Sequence, residues 1–153
     1  MSEHKATIRW QYSGGEFLKG KYSRVHTWTF DGGLTVPAAP APANVPIAFG
    51  NPANVDPEEA LVAALSSCHM LTFLFVAYRA GFAVESYEDE AVGQMEKNER
   101  GASWISRVTL HPKIVYSPSK SPTPAEEAQL HHHAHEQCII ANSVKTEVVV
   151  HGG

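Results

Sequence analysis

Hydrophobic and polar positions alternate over residues 4–12, where Ala6, Ile8, Trp10 and Tyr12 interleave with Lys5, Thr7, Arg9 and Gln11. That period of two predicts a half-buried strand. Ser13-Gly14-Gly15 marks a turn, and the β-branched and aromatic run from Val25 to Phe30 predicts a second strand. Asp31-Gly32-Gly33 is a turn signal, followed by Leu34-Thr35-Val36. Residues 4–36 therefore predict an antiparallel meander of about three strands.

The pattern then changes period. Residues 37–56 carry Pro, Ala and Asn without periodicity and predict a long loop, a kind of segment often given to function. Asp56-Pro57-Glu58-Glu59 has the form of a helix start: Asp56 caps free amides, proline suits the first turn, and the glutamates complement the positive end. The helix is predicted to run to about Arg79, with Gly81 ending it. Leu61, Val62, Leu65, Met70, Leu71, Phe73, Leu74, Phe75 and Val76 leave no wide polar stripe. Such a helix is expected to be buried all round, with a sheet on one side and another chain on the other.

Beyond it, residues 84–97 and 103–116 alternate around Asn98-Glu99-Arg100-Gly101 and predict a hairpin. Residues 117–124, with three prolines and three serines, predict a loop. Thr123-Pro124-Ala125-Glu126 has the capping-box form, and a helix is expected to about Cys138. Residues 144–150 predict a last strand. The order of strands, helix, hairpin, helix and strand implies an α+β fold, two helices on antiparallel sheet. At 153 residues the chain suits a single domain, 1–153.

Composition narrows the function classes. Hydrophobic residues make up 43% and charged residues 18%, an ordinary balance for a globular protein, and the formal charge is −4. No stretch concentrates Lys and Arg, so nucleic acid is not an expected partner. Residues 60–80 approach the length of a membrane span, but Ser66, Ser67, His69 and Thr72 interrupt the middle, and Glu58, Glu59 and Arg79 flank it. A buried helix is the better reading, and no membrane is expected. The start, Met1-Ser2-Glu3-His4-Lys5, lacks a basic stretch followed by an apolar run, so no signal peptide is read and a cytoplasmic location follows by default.

In that compartment the two cysteines, Cys68 and Cys138, are expected to be redox-active or inert. The bland reading makes both of them small buried hydrophobes. The functional reading needs an activated thiolate, hence a nearby cation, because an apolar helix would otherwise raise the thiol pKa. Lowering it from 8.5 to 6 requires roughly 3.4 kcal/mol of preferential thiolate stabilisation. His131, His135 and Cys138 fall at i, i+4 and i+7 on one helix face, a spacing that suits zinc with a fourth ligand such as His69. Partly exposed histidines that tune Cys138 are the preferred reading, with no metal and no cofactor.

Two longer motifs point to a family. Residues 56–69, Asp-Pro-Glu-Glu-Ala-Leu-Val-Ala-Ala-Leu-Ser-Ser-Cys-His, resemble the signature helix of the OsmC/Ohr family, the osmotically inducible and organic hydroperoxide resistance proteins. Residues 138–144, Cys-Ile-Ile-Ala-Asn-Ser-Val, resemble its second cysteine motif, and the element order matches over nearly the whole chain. The likeness is greatest to the OsmC-like branch. The resemblance implies an intertwined α+β homodimer with two sites at the subunit interface. It implies a cysteine-based peroxidase that reduces organic hydroperoxides: Cys68 attacks the peroxide, Cys138 closes a disulfide, and small thiols or lipoylated proteins reopen it. An arginine and a glutamate complete such sites. Glu58, ten residues before Cys68, matches the glutamate, although about 15 Å of helix separates the two. Arg24, ahead of the Asp31-Gly32 turn, matches the arginine, with Arg9 its competitor. Glu58 is expected to hold that guanidinium in a bidentate pair. Leu65, Met70, Leu71, Phe73 and Phe75 are either a pocket for an apolar peroxide or, for most of them, core. The competing functions are a hydrophobic-ligand carrier and a zinc-binding module on the same fold.

Overall fold

Two compact units, Met1–Ala60 and Leu61–Gly153, make up the computed structural model, which describes residues 1–151. In the first unit, β1 (Ala6–Arg9), β2 (His26–Phe30) and β3 (Thr35–Ala38) form the expected antiparallel meander in the order β1-β2-β3. Gly33, at φ 95°, closes the β2–β3 turn, donating to the Phe30 carbonyl at 2.8 Å. That positive φ suits glycine, which has no Cβ to clash. The loop after β3 is tied down rather than free. Ala38 pairs with Val55 in a parallel bridge, the Asn54 amide donates to the Ala38 carbonyl at 3.3 Å, and Ala38 and Ala39 are fully buried.

The first helix, α1 (Pro57–Arg79), starts at a reciprocal box: Glu59 N–H donates to Asp56 Oδ1 and Asp56 N–H to Glu59 Oε1, both at 2.9 Å. These bonds satisfy two amides that a helix start leaves open. Glu59 is thus the structural neighbour of Glu58.

The second unit holds the rest of α1, then β4 (Val84–Asp89), β5 (Val92–Lys97), β6 (Ser103–Leu110), β7 (Pro112–Tyr116), α2 (Pro124–Gln137) and β8 (Glu147–Val150). The hairpin is there but folded at its middle: β5 pairs β6 near the turn, and β4 pairs β7 beyond it. At the break, the Asp89 carboxylate accepts from His111 N–H at 2.6 Å and from the Ser66 hydroxyl at 2.5 Å. The ladder is interrupted where a side chain replaces a backbone partner.

β8 corrects the purely antiparallel expectation. It runs parallel to β6, giving a mixed sheet in the order β5-β6-β8. It also begins at Glu147 rather than 144, because Ala141–Ser143 form a 3₁₀ turn and the Thr146 hydroxyl is bonded to the Ile105 carbonyl at 2.7 Å. Thr123 and Glu126 form the predicted capping box of α2.

Two apolar clusters anchor α1 within this unit. Phe73, Val76 and Ala77 pack with Phe82 and with Leu130 and Ala134 of α2, while Leu65 packs with Val108 and Leu110 of β6. The expectation that α1 is buried all round does not hold for the single chain. Leu65, His69, Phe73, Val76 and Ala77 are buried, three to four residues apart along one face, but Leu71, Phe75 and Tyr78 are 60%, 47% and 63% exposed. A helix packed on one side by sheet and α2 buries one stripe only; the remainder needs another surface.

Candidate functional site

The chemistry gathers where α1 meets the end of α2. Cys68 lies midway along α1 and is half-buried; Thr72, one turn on, donates its hydroxyl to the Cys68 carbonyl at 2.8 Å and lies near enough to the Cys68 thiol to favour its anion. Cys138 closes α2 as its C-cap and is 1% exposed. The residues after it wrap into a tight turn about its backbone. Asn142 N–H and the Asn142 amide both donate to the Cys138 carbonyl at 3.0 Å, and the Ser143 hydroxyl donates to the Ile139 carbonyl at 2.8 Å. Ala141 N–H points at Cys138 Sγ, 3.4 Å away.

This turn also serves the other sulfur. Burial raises the Cys68 thiol pKa, but hydrogen bonds from the Ile140 backbone, the Cys138 thiol, the Ile139 backbone and Thr72 outweigh it, and the net shift is downward. For Cys138 burial comes first, the bond to Cys68 adds to it, and the net shift is upward despite the Ala141 amide. The two thiols are therefore neighbours that act on each other and are differentiated, with Cys68 the more readily ionised and Cys138 the more firmly protonated. Both are free, reduced cysteines. A thiolate beside a protonated thiol has the composition needed to form and then resolve an oxidised sulfur.

The sequence called for a cation at Cys68, yet the groups found lowering its pKa are neutral donors. The arginine and the glutamate belong to the other unit. There the Arg24 guanidinium donates to the Tyr22 carbonyl at 2.8 Å and to the Gly20 carbonyl at 3.1 Å, and lies over the Tyr22 ring, 4.0 Å from its centroid. Glu58 Oε1 accepts from the Asn44 amide at 3.2 Å, and its buried Oε2 has no partner. The expected Arg24–Glu58 bidentate pair does not form; among the described residues neither side chain joins an ion pair. Two carbonyls and an aromatic face already satisfy the guanidinium, which removes the drive to pair. Arg9 sits on exposed β1, opposite Thr27.

The apolar residues divide as well. Leu65 and Phe73 are core, while Leu71 and Phe75 are exposed. The histidines behave differently from a metal set. His69 Nε2 and His131 Nδ1 lie 2.9 Å apart in a buried pair, and among the described residues no three His, Cys, Asp or Glu side chains gather to hold an ion. Sequence reading missed Thr72 and the Ile139 and Ile140 amides. Thr72 was findable, four residues after Cys68 on the same helix face; backbone donors carry no residue signature.

The family model for OsmC-like protein matches residues 50–151. The chain belongs to the OsmC-like family. Among solved structures, an OsmC-like protein of unknown function from Vibrio cholerae is 50% identical, with 98% of each chain covered and a TM-score of 0.94. An organic hydroperoxide resistance protein OsmC from Legionella pneumophila is 18% identical, covers 98% of this chain and 94% of its own, and has a TM-score of 0.68. The organic hydroperoxide resistance protein OhrB of Bacillus subtilis is 23% identical, with 97% and 95% covered and a TM-score of 0.66. At these lower identities the likeness shows the shared α+β OsmC/Ohr fold. No curated protein matches the chain significantly.

Proposed function

We propose that this OsmC-like chain is a cysteine-based peroxidase that reduces organic hydroperoxides. The observation that carries the reading is the opposite displacement of two neighbouring thiols, downward at Cys68 and upward at Cys138. In the first step the Cys68 thiolate attacks the outer oxygen of the hydroperoxide. The O–O bond breaks, the alkoxide takes a proton and leaves as alcohol, and Cys68 becomes a sulfenic acid. The Cys138 sulfur then attacks the Cys68 sulfur, water leaves, and a disulfide forms. Two electrons from a dithiol or two small thiols, free or carried on a lipoylated protein, restore the pair.

The Cys138 thiol influences the Cys68 sulfur in the reduced state, which supports a resolving sulfur close to the one it must reach. Arg24 and Glu58 are proposed to complete the catalytic set by binding and orienting the peroxide. The orphaned, buried Glu58 Oε2 supports a role for that carboxylate beyond its bond to Asn44. The working form is proposed to be a homodimer, supported by the apolar face of α1 that Leu71, Phe75 and Tyr78 leave open.

Mass spectrometry after one equivalent of an organic hydroperoxide tests the reading. Wild type should lose two hydrogens as the Cys68–Cys138 disulfide forms, Cys138→Ser should gain one oxygen on Cys68, and Cys68→Ser should stay unmodified. A wild type that is inert to hydroperoxide while binding apolar ligands would replace the enzyme with a carrier.

A further inference from the structure

The His69–His131 pair plays no part in the chemistry above, yet it is placed to control it. Both imidazoles are buried, at 1% and 4% exposure, with ring planes 9° apart and Nε2 of His69 at 2.9 Å from Nδ1 of His131. Phe73 closes one side of His131, its ring centroid 4.4 Å away. The charged and titratable groups facing the pair are Asp89 of β4 and, from α2, His135 and Glu127, the last with Oε1 3.8 Å from His131 Nε2. Burial holds both imidazoles neutral, helped at His69 by His131 and His135 and opposed at both by Asp89, with pKa values pushed down to about 4. A neutral pair shares one N–H between one donor and one acceptor nitrogen, a bond that tolerates little displacement.

The remaining contact between α1 and α2 is apolar: Phe73, Val76 and Ala77 against Leu130 and Ala134. Such contact is non-directional and does not by itself select one axial alignment. A slip of one residue moves a helix about 1.5 Å along its axis and turns each side chain by about 100°. That would break the imidazole bond and strand two buried rings, at about 1–3 kcal/mol each. A single buried polar pair in an apolar helix contact is a known way of fixing register.

The pair also borders both sulfurs in sequence. His69 follows Cys68 directly, and His131 stands seven residues, about two turns, before Cys138. The register of α2 on α1 decides whether the Cys138 thiol and the Ile139 and Ile140 backbone reach the Cys68 sulfur. We infer that His69 and His131 are positioning residues: their shared hydrogen bond locks α2 onto α1 and so holds Cys138 and the turn after it on the Cys68 sulfur. The inference rests on Cys68 being the reactive thiol of the proposed enzyme, not on the identity of its oxidant.

The test replaces the polar pair by an apolar one, His69→Leu with His131→Leu, which fills the space without leaving an orphaned nitrogen. The Cys68 pKa is read from the pH dependence of its alkylation, and disulfide closure from the rate of reaction with diamide. The expected result is folded protein whose Cys68 pKa rises by about one unit, a tenfold loss of thiolate well below the pKa, and whose disulfide forms about tenfold more slowly. Val76→Ala, which weakens the same helix contact without touching the pair, should change neither readout by more than about twofold. Should the leucine pair not fold, His131→Met, which removes the shared bond and leaves His69 buried without it, is read in the same way. Wild-type values of both quantities in the histidine variants, or an equal shift in Val76→Ala, would overturn the inference. Hydroperoxide turnover is measured separately: a wild type with a lowered Cys68 pKa and no turnover removes the peroxidase reading and leaves this one standing.

Discussion

The thiols of Cys68 and Cys138 are displaced in opposite directions: burial raises both, but the Ile140 backbone, Cys138, the Ile139 backbone and Thr72 together bring Cys68 below its ordinary value, while Cys138 stays above its own. In the proposed reaction that difference suits Cys68 to attack first and Cys138 to stay protonated until its partner is oxidised.

The first prediction concerns reactivity. Cys68 should be alkylated faster than Cys138 at neutral pH, with an apparent pKa below that of Cys138. Peptide mapping after limiting iodoacetamide checks it. In Cys138→Ser the Cys68 pKa should change by less than about one unit, because a hydroxyl still donates and the Ile139 and Ile140 backbone remains.

Thr72→Val removes a hydroxyl that bonds the Cys68 carbonyl and helps lower the Cys68 thiol pKa. The expected outcome is a Cys68 pKa raised by about half a unit to one unit, with stability changed by less than about 1.5 kcal/mol. Alkylation rates across pH and urea denaturation measure the two effects.

Acid should weaken the second unit. His69 and His131 have folded-state pKa values of about 4 against an ordinary 6.5, so the unfolded chain binds protons first as pH falls. Their neutral burial is uncompromised above about pH 6.5, and stability falls from there towards pH 4. About 1.5 units below its ordinary pKa each imidazole costs roughly 2 kcal/mol, giving a loss of about 2–4 kcal/mol between pH 7 and pH 5. Denaturant midpoints at those two values check it, and the slope should shrink in the leucine pair.

If Arg24 and Glu58 orient the peroxide, Arg24→Lys and Glu58→Gln should each lower kcat/KM for an organic hydroperoxide by at least about tenfold, while Arg9→Lys leaves it within about twofold. Glu58→Gln retains an oxygen for Asn44, so its stability should stay within about 1 kcal/mol of wild type.

Gly93→Ala tests the packing of β5. A Cβ there would lie 2.6 Å from Val62 Cγ2, and a β-branched valine has little rotameric freedom to yield. A loss of about 1–3 kcal/mol in thermal or urea unfolding is expected.

The chain itself determined its elements because their signals are local. The Asp56 cap, the Thr123–Glu126 box, the Gly33 turn and the alternation around Asn98 each act over a few residues, and all appear where the pattern places them. The two motifs around Cys68 and Cys138 likewise identified the family before any geometry was known. Three features were decided only in three dimensions. Strand direction was one: β8 lies parallel to β6 because α2 and the following turn deliver it to that edge, a consequence of connection rather than of its own side chains. The thiolate's partners were another, since the Ile139 and Ile140 donors belong to the backbone, which every residue possesses. The last was the meeting of His69 and His131, 62 positions apart, whose spacing on their own helices suits several uses and whose shared hydrogen bond exists only once α2 has docked on α1.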